Sequence, residues 1–372
     1  MKIGIPAEIK AQEERVAITP AGVETLKRDG HQVFIENNAG EGSGFSNEIY
    51  EQAGAVILNS PKEIFEVAEM VLKVKEPLKQ EYNYLREGQI LFTYLHLAAV
   101  PELAKNLLDK KVTGIAYETV QLKDGSLPLL TPMSEVAGRM SVQISSRLLE
   151  RYFGGKGILM GGVPGTSPAK VVIIGGGIVG ANAAKMALGL RANVTILDIN
   201  LDRLRYLNDI YAESLTTLHS NPYTIRQQVK NADVVIGAVL LAGKKAPCLV
   251  TEEMVKEMKP GSVIVDVAID QGGSIETIDR VTTHEDPIYI KHGVVHYSVA
   301  NMPGAVPRTS TVALTNATLP YVVKLANKGL NDAVKQNEDL MLGLNTHKGY
   351  IVHQGVASSM DFLPYENLEK LL

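Results

Sequence analysis

The sequence is poor in the features that announce several large classes of protein. Among its 372 residues there is one cysteine, Cys248, so neither an internal disulfide nor a thiolate metal cage can form, and nothing demands an oxidising compartment. Neither sign of charge dominates. The 37 Lys and Arg stand against 41 Asp and Glu, a net charge of −4, which offers no basic field to a phosphate backbone and argues against nucleic acid. The amino-terminal MKIGIPAEIK lacks the long apolar stretch of a secretory signal, so the expected location is the cytoplasm. The nearest approach to a membrane span, VVIIGGGIVGANAAKMALGL at 171–190, carries only Lys185 as a charge. Its glycine cluster falls where a spanning helix needs continuity, so a strand, a turn and a helix are expected there and no membrane contact. No HxxxH, CxxC or carboxylate cluster points to a metal, no GxSxG elbow points to a serine nucleophile, and no repeat is visible.

What remains is globular. The hydrophobic fraction of 45% and the charged fraction of 21% suit a chain with a proper core, and the length suggests two domains. Strands are expected at Lys2–Ile5, Gln32–Ile35, Ala55–Leu58, Met70–Val74, Ile90–Tyr94 and Val112–Tyr117, with helices such as Ala21–Arg28 and Pro101–Lys110 between them. Such alternation implies βα units and a largely parallel sheet. A long helix is expected over 134–152, with Ser134 and Glu135 at its start. A loop rich in glycine and proline, GGKGILMGGVPGTSPAK, marks a boundary. A second alternating run follows: strands 170–174, 193–198, 233–236 and 262–267, and helices 178–190, 201–209, 223–230 and 251–257. The tail from Thr309 reads as helical, capped by Thr309 or Ser310 and kinked at Pro320.

The strongest local pattern is KVVIIGGGIVG, a buried strand running into Gly175-x-Gly177-x-x-Gly180 and out into a helix. Gly175 permits the tight turn, Gly177 lets a pyrophosphate approach the backbone, and Gly180 lets helix and strand pack closely, with Ile178 and Val179 opening the helix. Its amino terminus offers N–H groups and partial positive charge to phosphates. The next strand, NVTILD, ends in Asp198, whose carboxylate suits ribose hydroxyls and repels a 2′-phosphate; Arg203 and Arg205 nearby weigh the other way. Ligands of open α/β sheets sit beyond the strands' carboxyl ends, which places Val239, Leu240, Val267, Ala268, Ile269 and Asp270 beside the nucleotide or in plain strand-end packing.

Four residues stand out for chemistry. Arg15, in EERVAITP, is either a two-pronged carboxylate grip or a surface arginine paired with Glu13 or Glu14. Lys75, in MVLKVKEP, shares a face with Lys73 at a strand exit, where solvated lysines are the alternative. His96 interrupts the apolar LFTYLHLA and suits acid–base work near neutrality, or a hydrogen-bonded place in the core. Asp270 follows a buried run and precedes Gln271-Gly272-Gly273, as an acid–base partner, a nicotinamide-ribose ligand or a helix cap.

Together these segments, with GEGSGFS, GIAYETVQ, LPLLTPMSEVAGRMS, VDVAIDQGG and VHYSVANMPGAVPRTST, resemble the bacterial L-alanine dehydrogenase family over nearly the whole chain. The resemblance implies NAD-dependent, reversible oxidative deamination of L-alanine to pyruvate and ammonia. It implies that Arg15 and Lys75 bind the substrate carboxylate and its oxo or amino group, that His96 and Asp270 form the acid–base pair, and that Leu130 and Met133 wall the pocket. It adds Ser134, Arg203, Ser220, Val299, Ala300, Asn301 and Met302 to the NAD site. The implied α/β fold has two Rossmann-like domains, an NAD domain at 131–304 inserted into a substrate domain formed by 1–130 and 305–372, and the implied assembly is a homohexamer. A transhydrogenase nucleotide-binding subunit would have no use for Arg15, Lys75 and His96 together. A saccharopine dehydrogenase would need further polar groups, and a non-catalytic NAD sensor would keep only the glycine turn and Asp198.

Overall fold

The computed structural model describes residues 1–239, 246–269, 272–360 and 362–372. The β-branched runs of the first third become β1 (Lys2–Ile5), β2 (Gln32–Glu36), β3 (Val56–Leu58), β4 (Met70–Leu72), β5 (Ile90–Thr93) and β6 (Thr113–Ala116). Every residue of β4, β5 and β6 is buried, as in a parallel sheet covered by helices on both faces. The intervening helices Pro20–Arg28, Pro61–Val67 and Pro101–Asp109 all begin on a proline, whose missing N–H costs nothing in a first turn. Thr19 caps the first by accepting the Gly22 N–H, and Ser60 with Glu63 forms a reciprocal capping box at the second.

The second run contains β7 (Lys170–Ile174), β8 (Asn193–Asp198), β9 (Leu215–His219), β10 (Val234–Gly237), β11 (Val263–Asp266), β12 (Ile288–Lys291) and β13 (Val294–Tyr297). The pattern reading missed β9, β12 and β13. β9 and β12 are edge strands, only partly buried, so neither carries a continuous apolar run. The tail forms the helix Pro307–Lys335, the short helix Glu338–Gly343, and strands β14 (Leu344–His347) and β15 (Tyr350–Ile351).

Three expectations of local geometry change. The tail helix starts at Pro307 after Val306, so Thr309 and Ser310 lie inside it and neither is its cap. The long helix spans Thr131–Leu148, so Ser134 lies inside its first turns instead of capping it. In the tail helix the break falls at Gly329 (φ 72°, ψ 170°), not at Pro320. Proline's fixed φ is itself helical, whereas a positive φ is open to glycine at little cost.

Among the described residues the first sheet has the order β15-β14-β6-β5-β4-β1-β2-β3 and the second β12-β13-β11-β10-β7-β8-β9. Strands β1–β6 pair in parallel, as do β7–β11 and β13. The antiparallel additions are β14 on β6, β15 on β14, and β12 on β13. The strand order turns at a switch point between β1 and β4 in the first sheet and between β7 and β10 in the second, in which the chain also folds back from edge strand β12 to β13. Two units result: Met1–Met133 with Val306–Leu372, and Ser134–Ala305. The tail is built into the core of the first, where Ile351, Val356 and Met360 pack with Leu91, Leu95, Leu103 and Leu107. No helix among the described residues is long and apolar enough to cross a membrane.

A Cβ at Gly329 would meet no atom within 4 Å, so only the backbone conformation resists substitution there. Gly329→Ala should therefore lower the unfolding free energy by about 1 kcal/mol, read as a lower melting midpoint.

Candidate active site

In an open parallel sheet the loops beyond the strand ends part where the chain direction reverses, leaving a crevice lined by both sets of loops. In the first sheet that place lies between β1 and β4, and charged side chains follow the ends of β1, β4, β5 and β6. Arg15, on the loop after β1, is 2% exposed. Its Nε and Nη2 donate to Oε1 and Oε2 of Glu13 at 2.6 and 2.5 Å, and Nη1 approaches the Met133 sulfur at 3.0 Å. The pairing with Glu13 is thus present, but in the interior and not at the surface. Burial alone would ease the guanidinium's proton off; the Glu13 hydrogen bonds and charge more than offset this and hold its pKa above the ordinary value. Arg15 is a permanent cation.

The exit of β4 departs from the strand geometry expected of it. β4 ends at Leu72, and Lys73 does not share Lys75's environment: Lys73 is fully buried, while Lys75 is half-buried. Lys73 Nζ lies 3.1 Å from Glu8 and 2.9 Å from Glu81. Burial works against its charge, and the two carboxylates outweigh it, raising its pKa. Glu8 is pushed up by burial, against the pull of Lys73 and the Val74 N–H. Glu8 Oε1 also accepts the Val74 N–H at 2.6 Å and the Lys75 N–H at 3.4 Å, and Thr93 Oγ1 donates to the Lys75 carbonyl at 3.0 Å. Lys75 therefore leaves the sheet on a backbone held from both neighbouring strands.

His96, three residues beyond β5, has left-handed backbone angles (φ 48°, ψ 36°). Its side chain is 43% exposed, which settles the choice between core and surface in favour of an accessible ring. That ring stacks on Tyr94 with centroids 5.9 Å apart, and Nδ1 lies 3.2 Å from Glu76 Oε2. Glu76 Oε1 accepts from Lys10 Nζ at 2.6 Å. Burial would raise the Glu76 carboxyl, yet hydrogen bonds from His96 and Lys10 overcome it and draw the pKa down to about 2. Glu118, beyond β6, accepts the His96 N–H at 2.6 Å.

The second sheet reverses at Gly175. There φ is 107°, and a Cβ would meet the Ala238 carbonyl oxygen at 2.8 Å. A Cβ on Gly180 would stand 1.8 Å from the Gly175 carbonyl oxygen, whereas one on Gly177 would meet nothing within 4 Å. Two of the three glycines are thus required by internal packing, and the third leaves open space at the amino end of the helix Ile178–Gly189, where Gly177 is the N-cap and Ile178 and Val179 the first turn. That opening beside unpaired helix N–H groups fits the phosphates of a dinucleotide. Asp198 accepts the Gly176 N–H at 2.6 Å and the Asn200 N–H at 2.8 Å, and Arg203 Nε donates to the Gly176 carbonyl at 2.6 Å. The Ser220 N–H donates to the Asp198 carbonyl at 2.9 Å.

Several of the remaining residues expected at the nucleotide follow strand ends on the same carboxyl edge. Val239 follows β10, and Val267, Ala268 and Ile269 follow β11. Val299, Ala300, Asn301 and Met302 follow β13, Asn301 with φ 63° and its carbonyl 3.4 Å from His284 Nε2. Ser134 lies, half-buried, in the helix Thr131–Leu148. Leu240 and Asp270 lie outside the described residues.

Sequence reasoning passed over Glu8, Glu76, Glu118 and Asp266, and read Lys73 only as a lysine on the same face as Lys75. Asp266 is fully buried at the end of β11, where it accepts the Ala268 and Ser274 N–H groups at 3.0 and 2.7 Å. Each of the four acids stands at, or a few residues beyond, the end of an apolar strand run, and that position is the signal by which they could have been found.

Comparison with known proteins bears on all of this. The chain matches the family described as Alanine dehydrogenase/PNT, N-terminal domain, over residues 4–137 and its companion, Alanine dehydrogenase/PNT, C-terminal domain, over residues 141–354. It is similar to the alanine dehydrogenase of Methanococcus maripaludis, 63% identical over 372 residues that cover 100% of both chains. It is likewise similar to the alanine dehydrogenase of Bacillus subtilis, 61% identical over 100% of this chain and 98% of that protein. Among solved structures, an L-alanine dehydrogenase superposes with a TM-score of 0.95 at 54% identity, over 97% of this chain and 99% of the other.

The Glu76 carboxyl titrates near 2 in the folded chain against an ordinary 4.5, so its stabilisation is complete above the ordinary value and is lost as pH falls from about 4.5 toward about 2. Melting midpoints measured across that window should fall more steeply for the wild type than for Glu76→Gln.

Proposed function

The chain belongs to the alanine dehydrogenase/PNT family, and from that membership we propose how its own residues carry the reaction. It is an oxidoreductase that converts L-alanine, NAD⁺ and water into pyruvate, ammonia and NADH, and runs the reverse amination. The observation that carries the residue assignment is the issue of Arg15, Lys75 and His96 from three neighbouring strand exits at the reversal point of one sheet.

Arg15, a permanent cation with a rigid fork of donors, grips the substrate carboxylate, and Lys75 holds the amino or oxo group beside it. This two-point hold fixes the orientation of the Cα–H bond. The Gly175–Gly180 turn would hold the phosphates of NAD and Asp198 its ribose hydroxyls, and the nucleotide would supply the hydride acceptor. Ser134, Arg203, Ser220, Val239, Leu240, Val267, Ala268, Ile269 and Val299 through Met302 complete its site in this reading. Loss of hydride leaves an iminium carbon on the substrate, to which water adds. His96 with Asp270 takes the proton from that water and returns one to the departing ammonia. Glu76 on Nδ1 leaves the other ring nitrogen of His96 to face the reacting atoms. The working form in this reading is a cytoplasmic homohexamer, its size measurable by light scattering.

The direct test mixes the protein with NAD⁺ and a panel of amino acids at alkaline pH and follows NADH absorbance. L-Alanine should give the largest signal, and no signal with it would overturn the assignment. His96→Ala should lower kcat by about 10²-fold or more while NADH binding persists, the range of a lost acid–base group. Lys75→Ala should raise the KM for pyruvate. Asp198→Ala should narrow the preference for NAD over NADP, and an unchanged ratio would refute the role of charge at that position.

A further inference from the structure

We propose that Glu118 is a positioning residue for His96: its carboxylate captures the backbone N–H groups that turn His96 out of the sheet, and so sets where the imidazole stands. The inference rests on the acid–base role assigned to His96 above. A left-handed conformation such as that of His96 is unfavourable for a residue with a side chain, so something must hold it there. Successive N–H groups beside a left-handed residue converge on one side of the chain and form a concavity sized for an anion.

Glu118 fills that concavity. Its Oε1 accepts the His96 N–H at 2.6 Å and the Leu95 N–H at 3.1 Å, and its Oε2 lies 3.3 Å from the same Leu95 nitrogen. The sheet register explains the meeting. β6 runs parallel to β5 with Ala116 opposite Thr93, so a side chain two residues past the end of β6 stands beside N–H groups two and three residues past the end of β5. Glu118 is itself held in the single turn Tyr117–Thr119, where the Tyr117 ring meets Tyr94 edge-on with centroids 5.1 Å apart and Thr119 Oγ1 donates to the Ala116 carbonyl at 3.3 Å. The two carboxylates around His96 divide the work. Glu76 contacts the ring, whereas Glu118 bonds its backbone and so governs the origin and direction of the side chain, not its proton. A misplacement on the order of 1 Å at a reacting group costs about 10²-fold in rate, which is why backbone capture matters to turnover.

The test uses Glu118→Met, of similar length without an acceptor, and Glu118→Gln, which keeps one acceptor oxygen, each made alone and in the His96→Ala background and read by steady-state turnover of L-alanine with NAD⁺. Glu118→Met should lower kcat by about tenfold or more with the KM for L-alanine little changed, and Glu118→Gln should lose less. In the His96→Ala background Glu118→Met should cost nothing further, within about twofold, because the group it positions is gone. Unchanged kcat in Glu118→Met, or the same loss in both backgrounds, would overturn the proposal. Near-normal turnover of His96→Ala alone would instead bring down the acid–base reading on which it rests. If Glu118→Met fails to fold by circular dichroism, the same comparison made with Glu118→Gln decides.

Discussion

Both units depend on one kind of bond, from a carboxylate to the backbone N–H of a neighbouring strand just beyond its end. Inside a parallel sheet each N–H has a ladder partner; past the last rung it has none, and under packed loops it has little water either. Carboxylates from adjacent exits supply the acceptors. Glu36 at the end of β2 takes the Ala7 N–H beyond β1, Glu8 beyond β1 takes that of Val74 beyond β4, and Glu118 beyond β6 takes those of Leu95 and His96. In the second unit Asp198 at the end of β8 takes Gly176 beyond β7, while Asp266 at the end of β11 takes Ala268 and Ser274 in the loop after its own strand. Bonds to charged groups contribute about 1.5–3 kcal/mol each, enough to hold a loop in one conformation. The candidate site residues Lys75 and His96 ride on segments held in this way.

The arrangement has a cost that the structure meets locally. Burial raises the carboxyls of Glu8, Glu36 and Asp266, each against the pull of the N–H groups it serves. Lys73 is the counterweight in the first unit, fully buried between Glu8 and Glu81. Removing such a cation leaves uncompensated buried charge, a loss of about 3–5 kcal/mol by general experience. Lys73 thus supports the chemistry without facing it, and the residue two places on, Lys75, inherits a fixed backbone.

Much of the frame was legible because it is written locally. The strands β1 and β7, the glycine turn at Gly175–Gly180 and the helix Pro101–Asp109 follow from patterns a few residues long. The edge strands β9 and β12 were not, since half-exposed strands lack a continuous apolar run, and the break at Gly329 was hidden behind the louder proline at 320. At the candidate site, Arg15, Lys75 and His96 were recognisable as residue types in unusual settings. Whether Arg15 sat at the surface and whether His96 sat in the core were not, because each depends on what another segment brings up against it. Lys73 shows the limit best: two lysines spaced alike in sequence differ entirely in environment because β4 ends at Leu72.

By itself, then, the sequence determined the class of protein, a chain of βα units with a dinucleotide turn and no disulfide, and the residues with the chemistry to act. Those are properties of composition, periodicity and short motifs, which need no partner. Only the tertiary structure decided how the candidate site residues are held, since in the first unit the carboxylate that accepts such an N–H comes from the exit of another strand, far away in sequence, as Glu118 does for His96 and Glu8 for Val74. Strand order and register bring them together, and neither is written in any local stretch of the chain.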